Sequence, residues 1–183
     1  MKGKFNVRAA RPGDEDGIAQ VRVDTWRSAY KEILPPEYLD SLNPGWYAPI
    51  WNSILKSGGS QGYAYVAVNE EGQVAGFAIG GFSRDANPEY RAELYAIYVL
   101  EAYQKQGLGK ALVGEVVRRL MEEGMHSLII WALEENPARK FYETLNGKVV
   151  DSRAITIGSR QYREVAYGWQ DIHPLAELGD PPG

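Results

Sequence analysis

Apolar and polar positions first alternate over "KFNVRAA", a period of two that predicts a strand from Phe5 to Ala9. "RPGDED" turns the chain, with Asp14 placed as a helix N-cap. The period then lengthens. Ile18, Val21, Thr25 and Ser28, beside Ala19, Val23, Trp26 and Tyr30, are spaced for one helix. Pro35 and Pro36 end it, and the segment to Leu55 predicts one or two short helices. Strands at about Tyr63–Val68 and Gln73–Gly81, joined by Asn69–Gly72, read as a hairpin. "RAELYAIYVL" predicts the next strand. In "GLGKALVGEVVRRLMEEG" the positions Leu108, Leu112, Val116 and Leu120 step by four, which predicts a helix, with Gly124 as its stop. "HSLIIWAL" is an apolar strand. "NPARKFYETLNG" is a short helix with Pro137 at its first position. "KVVDSRAITI" and "REVAYGWQD" close the pattern as two strands. The order predicts one α+β domain over residues 1–172, with a mixed, mostly antiparallel central sheet flanked by helices. Residues 173–183, rich in Pro and Gly, are expected to form a flexible tail.

Composition narrows the chemistry. The 183 residues carry a net charge of -4 without a basic run, so neither nucleic-acid nor membrane-surface binding is expected. No apolar stretch resembles a signal peptide or a membrane span, and a cytoplasmic location is expected. Cysteine is absent, which excludes disulfides, thiolate metal sites and a cysteine nucleophile. With only His126 and His173, no metal site is expected, and both histidines read as structural or surface residues.

One junction stands out. "YQKQGLGKAL" puts Gly107 and Gly109 between an apolar strand and an amphipathic helix. The first N–H groups of a helix lack internal partners and its dipole favours negative charge, so this turn suits a phosphorylated ligand. A P-loop is excluded, because Ala111 follows Lys110 and Gln104 stands where the first glycine belongs. A dinucleotide turn is excluded because Leu112 replaces the third glycine. The acyl-coenzyme A pyrophosphate loop requires Gln or Arg, two residues, Gly, any residue, then Gly or Ala. The run Gln104-Lys105-Gln106-Gly107-Leu108-Gly109 meets it at every fixed position.

With "AELYAIYV" before this loop and Asn136, Ala138, Phe141, Tyr142, Glu143, Leu145 and Gly147 after it, the chain resembles the GNAT superfamily of acyl-CoA-dependent N-acyltransferases over about residues 5–170. The resemblance implies a three-layer GNAT-like fold in which one strand splays from the next to hold acyl-CoA. It implies acetyl transfer from acetyl-CoA to a primary amine by direct attack in a ternary complex; a non-catalytic acyl-CoA sensor of the same fold is the alternative. Backbone N–H groups of Gln106, Gly107, Leu108, Gly109 and Lys110 would hold the pyrophosphate, in a loop opened by Gln104, with Lys105 and Lys110 adding charge. The backbone of Ile97, Tyr98 and Val99 would pair with pantetheine like a neighbouring strand, and the side chains of these residues read as core. Tyr142 would protonate the departing thiolate, and Asn136 would cap its helix and touch the pantetheine arm.

An alkylammonium must lose a proton before it can attack. Glu93, four residues before Ile97, matches the base of some family members; others use a water chain. Strand alternation places Glu93, Tyr95, Ile97 and Val99 on one face. Trp26 and Tyr30 lie in the helical region that roofs the acceptor site in the family, and serve either the acceptor or the packing of a lid. The acceptor, a small molecule or peptide amine, carries no readable motif. A homodimer is compatible with the family.

Overall fold

The computed structural model describes residues 4–85 and 87–179. Its strands are β1 (Asn6–Ala9), β2 (Tyr63–Val68), β3 (Val74–Phe82), β4 (Ala92–Val99), β5 (Leu128–Leu133), β6 (Lys148–Ile157) and β7 (Arg160–Trp169). Its helices are α1 (Glu15–Ala29), α2 (Pro36–Ser41), α3 (Pro44–Lys56), α4 (Leu108–Glu122), α5 (Arg139–Thr144) and α6 (His173–Ala176). The strands form one seven-stranded sheet in the order β1-β2-β3-β4-β5-β7-β6. Every adjacent pair is antiparallel except β4 and β5. Parallel neighbours need a crossover, and α4 supplies it.

The two faces of the sheet bury different helices because strand side chains alternate. On one face Leu112, Val116, Val117 and Leu120 of α4 pack on Ala78, Leu94, Leu128 and Ile130, with Tyr142 and Leu145 from α5 joining them. On the other, Ile18 and Val21 of α1 and Trp51 of α3 pack on Phe77 and Ile79. Complete burial of a side chain such as Leu112 or Val116 contributes about 1.5–3 kcal/mol each. The α4 stripe therefore fixes the layer that carries the glycine turn. Gly124, at φ 77°, ends the helix-terminal turn as its position predicts.

Three local expectations are corrected. Asp14 stands at the N-cap position before α1, but its carboxylate does not cap the helix; it takes hydrogen bonds from the Arg8 guanidinium at 2.7 Å and the Arg11 N–H at 2.8 Å. α5 starts at Arg139, two residues after Pro137, because Asn136 and Pro137 shape a turn before it. The segment from His173 does not fray throughout. It forms α6, buries Leu175, and receives a hydrogen bond from Arg118 on the Ala176 carbonyl. Gly114 in α4 permits this approach: a Cβ there would lie 2.0 Å from the Leu178 carbonyl oxygen. The rest of the expected tail, residues 180–183, lies outside the described residues.

Candidate active site

β4 and β5 pair at only two rungs, Ala92 with Leu128 and Glu93 with Ile129. Beyond them the strands part. A β-bulge lies at this point. Gly80 faces Leu94 and Ile79 faces Ala96, which leaves Tyr95 as the extra residue. A bulge bends its strand and increases local twist. After it, the Leu100 N–H bonds to the Ala75 carbonyl at 3.0 Å, and alternation gives Tyr98 the same orientation toward β3. The N–H and C=O groups of Ile97 and Val99 therefore point the other way, into the gap left by β5. One of them is occupied: the side-chain amide of Gln104 donates to the Val99 carbonyl at 3.0 Å.

The bulge also corrects the expected face of β4. Ile97 and Val99 pack on the α4 side, whereas Tyr95, Ala96 and Tyr98 pack on the α1 side. Simple alternation from Glu93 fails because the extra residue inverts the order.

The glycine turn sits just past the end of β4. Gly107 takes φ 89°, a left-handed conformation, and a Cβ at this position would meet open space. Lys105 is also left-handed, at φ 60°. Among the described residues, no backbone N–H from Lys105 to Lys110 donates a hydrogen bond to the chain. A row of free N–H groups at the start of a 15-residue helix, with room above Gly107, fits a phosphate group. Gly109 is different. A Cβ there would lie 3.2 Å from the Phe141 ring, so it serves the packing of α4 on α5.

Three phenols surround the same gap. Tyr142 of α5 is 5% exposed, and its ring packs at 5.6 Å from that of Tyr167. Tyr30, at the end of α1, accepts a hydrogen bond from the Asn136 side-chain amide at 3.0 Å. Tyr98 accepts one from the Trp26 indole, also at 3.0 Å, and the Trp26 and Tyr30 rings meet edge-on at 4.9 Å. Among the described residues none of the three hydroxyls donates its own hydrogen to the chain. Burial pushes the Tyr142 phenol well above its ordinary pKa, and the neighbouring Tyr98 and Tyr167 phenols push it further. Burial raises Tyr30 likewise, with Tyr98 and Tyr142 adding to the shift and Arg22 opposing it. Both groups thus stay protonated at neutral pH and keep an O–H to offer.

Glu93 is 1% exposed, and Arg84 holds it. The Arg84 backbone N–H donates to Oε2 at 3.0 Å, and its guanidinium donates to Oε1. A second buried carboxylate, Glu164 on β7, is bound at 2.5 Å by Arg153, whose guanidinium lies 3.9 Å above the Trp131 ring. Beside this pair a cavity of about 290 Å³ is lined by Ser83, Asp85, Asn87, Pro88, Ile129, Trp131 and Asp151. It begins at Ile129, in the last paired rung of β4 and β5.

The structure thus gathers Tyr30, Tyr98, Asn136 and Tyr142 around one opening, with Trp26 behind them and the Gln104–Lys110 turn at the strand end. Glu93 stands at the closed end of the split, tied to Arg84. The Tyr98 ring packs on Phe77 at 5.5 Å in the α1-side core, as its sequence position suggests, while its hydroxyl reaches the Trp26 indole. Arg84, Arg153, Glu164 and Trp131 carried no readable sequence signal, since they come from different strands and loops. His126 and His173 stack at 5.6 Å on the exposed surface, and His173 contacts Asp171 at 2.6 Å. Among the described residues no helix is long and apolar enough to cross a membrane, and no cluster of three His, Cys, Asp or Glu side chains could hold a metal.

Comparison with known proteins agrees with this architecture. Residues 23–147 match the family model of the acetyltransferase (GNAT) family. The chain is 38% identical over 172 residues to the uncharacterized N-acetyltransferase YuaI of Bacillus subtilis, covering 94% of this chain and 96% of that one. The PaiA N-acetyltransferase of Thermoplasma acidophilum, solved with coenzyme A, superposes with a TM-score of 0.68 at 19% identity, over 88% of this chain and 98% of that one. The yncA protein of Salmonella typhimurium, solved with its cofactor acetyl-CoA, gives 0.67 at 17% identity over 98% of each chain. A strand that splays beside a glycine turn, a matching family model and a full-length relative lead to one conclusion: the chain belongs to the GNAT family of acetyltransferases.

Proposed function

We propose that this acetyltransferase moves the acetyl group of acetyl-CoA to a primary amine by direct attack, with both substrates bound together. The observation that carries the reading is the split of β4 from β5 after Glu93, beside the Tyr30, Tyr98 and Tyr142 phenols, none of whose hydroxyls donates to the chain among the described residues. The free N–H groups from Gln106 to Lys110 suit the pyrophosphate, and the exposed side chains of Lys105 and Lys110 add charge. The Ile97 backbone and the Val99 N–H offer pantetheine a strand-like partner. The Val99 carbonyl is less available, because Gln104 occupies it. Asn136 spends its oxygen on the Ala138 N–H at 2.8 Å and one N–H on Tyr30, leaving a single N–H for the pantetheine arm.

Bound acetyl-CoA supplies the thioester. The Val99 N–H polarises its carbonyl as charge develops on oxygen. The amine nitrogen attacks the carbonyl carbon, the carbon–sulfur bond breaks, and Tyr142 offers its O–H to the departing sulfur. The amine must also lose a proton. Arg84 takes most of the Glu93 acceptor capacity, so we give this proton to water and assign Glu93 to fixing Arg84. No cysteine is present to carry an acyl intermediate, which favours direct transfer.

The test combines acetyl-CoA with a broad panel of amines, following thiol release and the mass of the product. Acetylated amine with equimolar thiol is expected. A chain that binds CoA yet acetylates no amine would be an acyl-CoA sensor instead.

A further inference from the structure

Arg22 lies on α1, one helical turn before Trp26. Its guanidinium stacks 5.0 Å from the Trp26 ring and 4.8 Å from the Tyr47 ring of α3. Of the other guanidiniums near the site, Arg84 is bound to Glu93 and Arg153 to Glu164 and Asp85, and Arg139 donates to the Tyr167 hydroxyl and the Glu134 carbonyl. Among the described residues no carboxylate pairs with Arg22 and no carbonyl accepts from it. The side chain is half-buried, so its charge is only partly screened by water. Two aromatic rings hold its planar fork in one orientation, which lowers the entropy lost when it binds an anion.

Its position ties it to the opening between β4 and β5. Trp26, under the guanidinium, is the residue that bonds the Tyr98 hydroxyl and packs on Tyr30. One turn of helix rises about 5.4 Å. An acceptor with its amine at the Tyr98 and Tyr30 hydroxyls would place a second group, a few bonds away, against Arg22.

We infer that the acceptor carries a carboxylate beside its amine, as an amino acid does, and that Arg22 binds this carboxylate across the Trp26 ring. The inference rests on the acetyltransferase reading above and names its substrate class. The three phenols around the amine are neutral, and the buried carboxylates on this side of the sheet, Glu93 and Glu164, are already matched by arginines. The site therefore presents an unmatched positive charge to the acceptor. A nearby cation also disfavours an ammonium and favours the neutral amine that can attack. The Arg22 charge is felt at the Tyr30 phenol, whose ionisation it assists. The product is an N-acetylated amino acid, released with free CoA.

The test uses matched pairs, L-amino acids and their carboxamides, with the full chain and acetyl-CoA. Thiol release gives kcat/KM for each pair, and calorimetry on the CoA-bound chain gives affinity. For at least one pair the free acid should exceed its amide by ~10-fold or more. Arg22→Gln should bring that ratio toward one, and Arg22→Lys, which keeps charge but loses the fork, should give an intermediate ratio. Unchanged CoA affinity shows that each variant is folded. Equal values for acid and amide in every pair, or a preference that survives Arg22→Gln, would overturn the inference while leaving acetyl transfer standing. Absence of thiol release with every amine would overturn the acetyltransferase reading instead. In that case the difference in binding between acid and amide still decides the role of Arg22.

Discussion

Asn136 donates its side-chain amide to the hydroxyl of Tyr30 at 3.0 Å, across 106 positions of the chain. The bond joins the turn that begins α5 to the last turn of α1, and so links the element carrying Tyr142 to the roof of the opening. The same Asn136 fixes its own turn by accepting from the Ala138 N–H. Its loss would loosen both walls together. Asn136→Ala is expected to lower kcat by ~10-fold or more and, by removing the bond that closes the turn before α5, to lower stability by about 1 kcal/mol. Steady-state kinetics beside urea unfolding would separate the two effects, and a variant that loses only stability would reduce Asn136 to a turn-forming role.

Tyr142→Phe keeps the ring in its packing against Tyr167 and removes the donor. Turnover is expected to fall by ~10²-fold or more, with CoA affinity little changed. The comparison needs single-turnover conditions, in which chemistry limits the rate. Full activity there would leave Tyr142 with a packing role alone.

Gly107 and Gly109 should fail for different reasons. Gly107→Val forces a branched side chain into φ 89° and into the open space above the turn, so CoA affinity should drop by at least ~2 kcal/mol. Gly109→Val collides with the Phe141 ring, so it should lower stability as well as affinity. Calorimetry with CoA and thermal unfolding distinguish them. A folded Gly107→Val protein with native affinity would remove the pyrophosphate assignment.

Glu93→Gln preserves an oxygen acceptor for Arg84 while removing the charge. With Glu93 as an anchor, the rate should fall only modestly, and its pH profile should run parallel to that of the parent. With Glu93 as a base, the variant should be slow near neutral pH and recover at high pH, where the free amine is abundant. The two profiles measured with one accepted amine decide between these roles.

Alkaline pH should expose the buried phenols. Tyr30 and Tyr142 ionise at higher pH in the folded chain than in the unfolded one, where the ordinary value is 10.0. Below that pH both states hold the proton and the stabilisation is complete. Above it the unfolded chain binds fewer protons, so stability falls as pH rises. Tyr30→Phe should flatten this decline in urea unfolding measured between about pH 9 and pH 11.5. An equally steep decline in Tyr30→Phe and Tyr142→Phe would place the alkaline sensitivity elsewhere.

Much of this protein is legible in local pattern. The four-residue step from Leu108 to Leu120 gives α4, since a helix that buries one stripe must repeat its apolar residues each turn. Alternation in "KVVDSRAITI" and "REVAYGWQD" gives β6 and β7 for the corresponding reason. The loop from Gln104 to Gly109 is legible as a turn with left-handed backbone and free N–H groups, because both follow from a few neighbouring residues. What no window of sequence contains is the bulge at Tyr95. It adds one residue to β4 opposite β3, inverts the faces of Ile97 and Tyr98, and lies where β4 leaves β5. The tertiary structure also decides which charges are spent. Glu93 and Arg84 are nine positions apart, Glu164 and Arg153 eleven, and their pairing depends on strands brought side by side. Arg22 looks in sequence like any solvated helix residue. Only the packing of α1 on α3 sets it between two rings and leaves its charge unmatched, because an electrostatic environment is summed over neighbours in space.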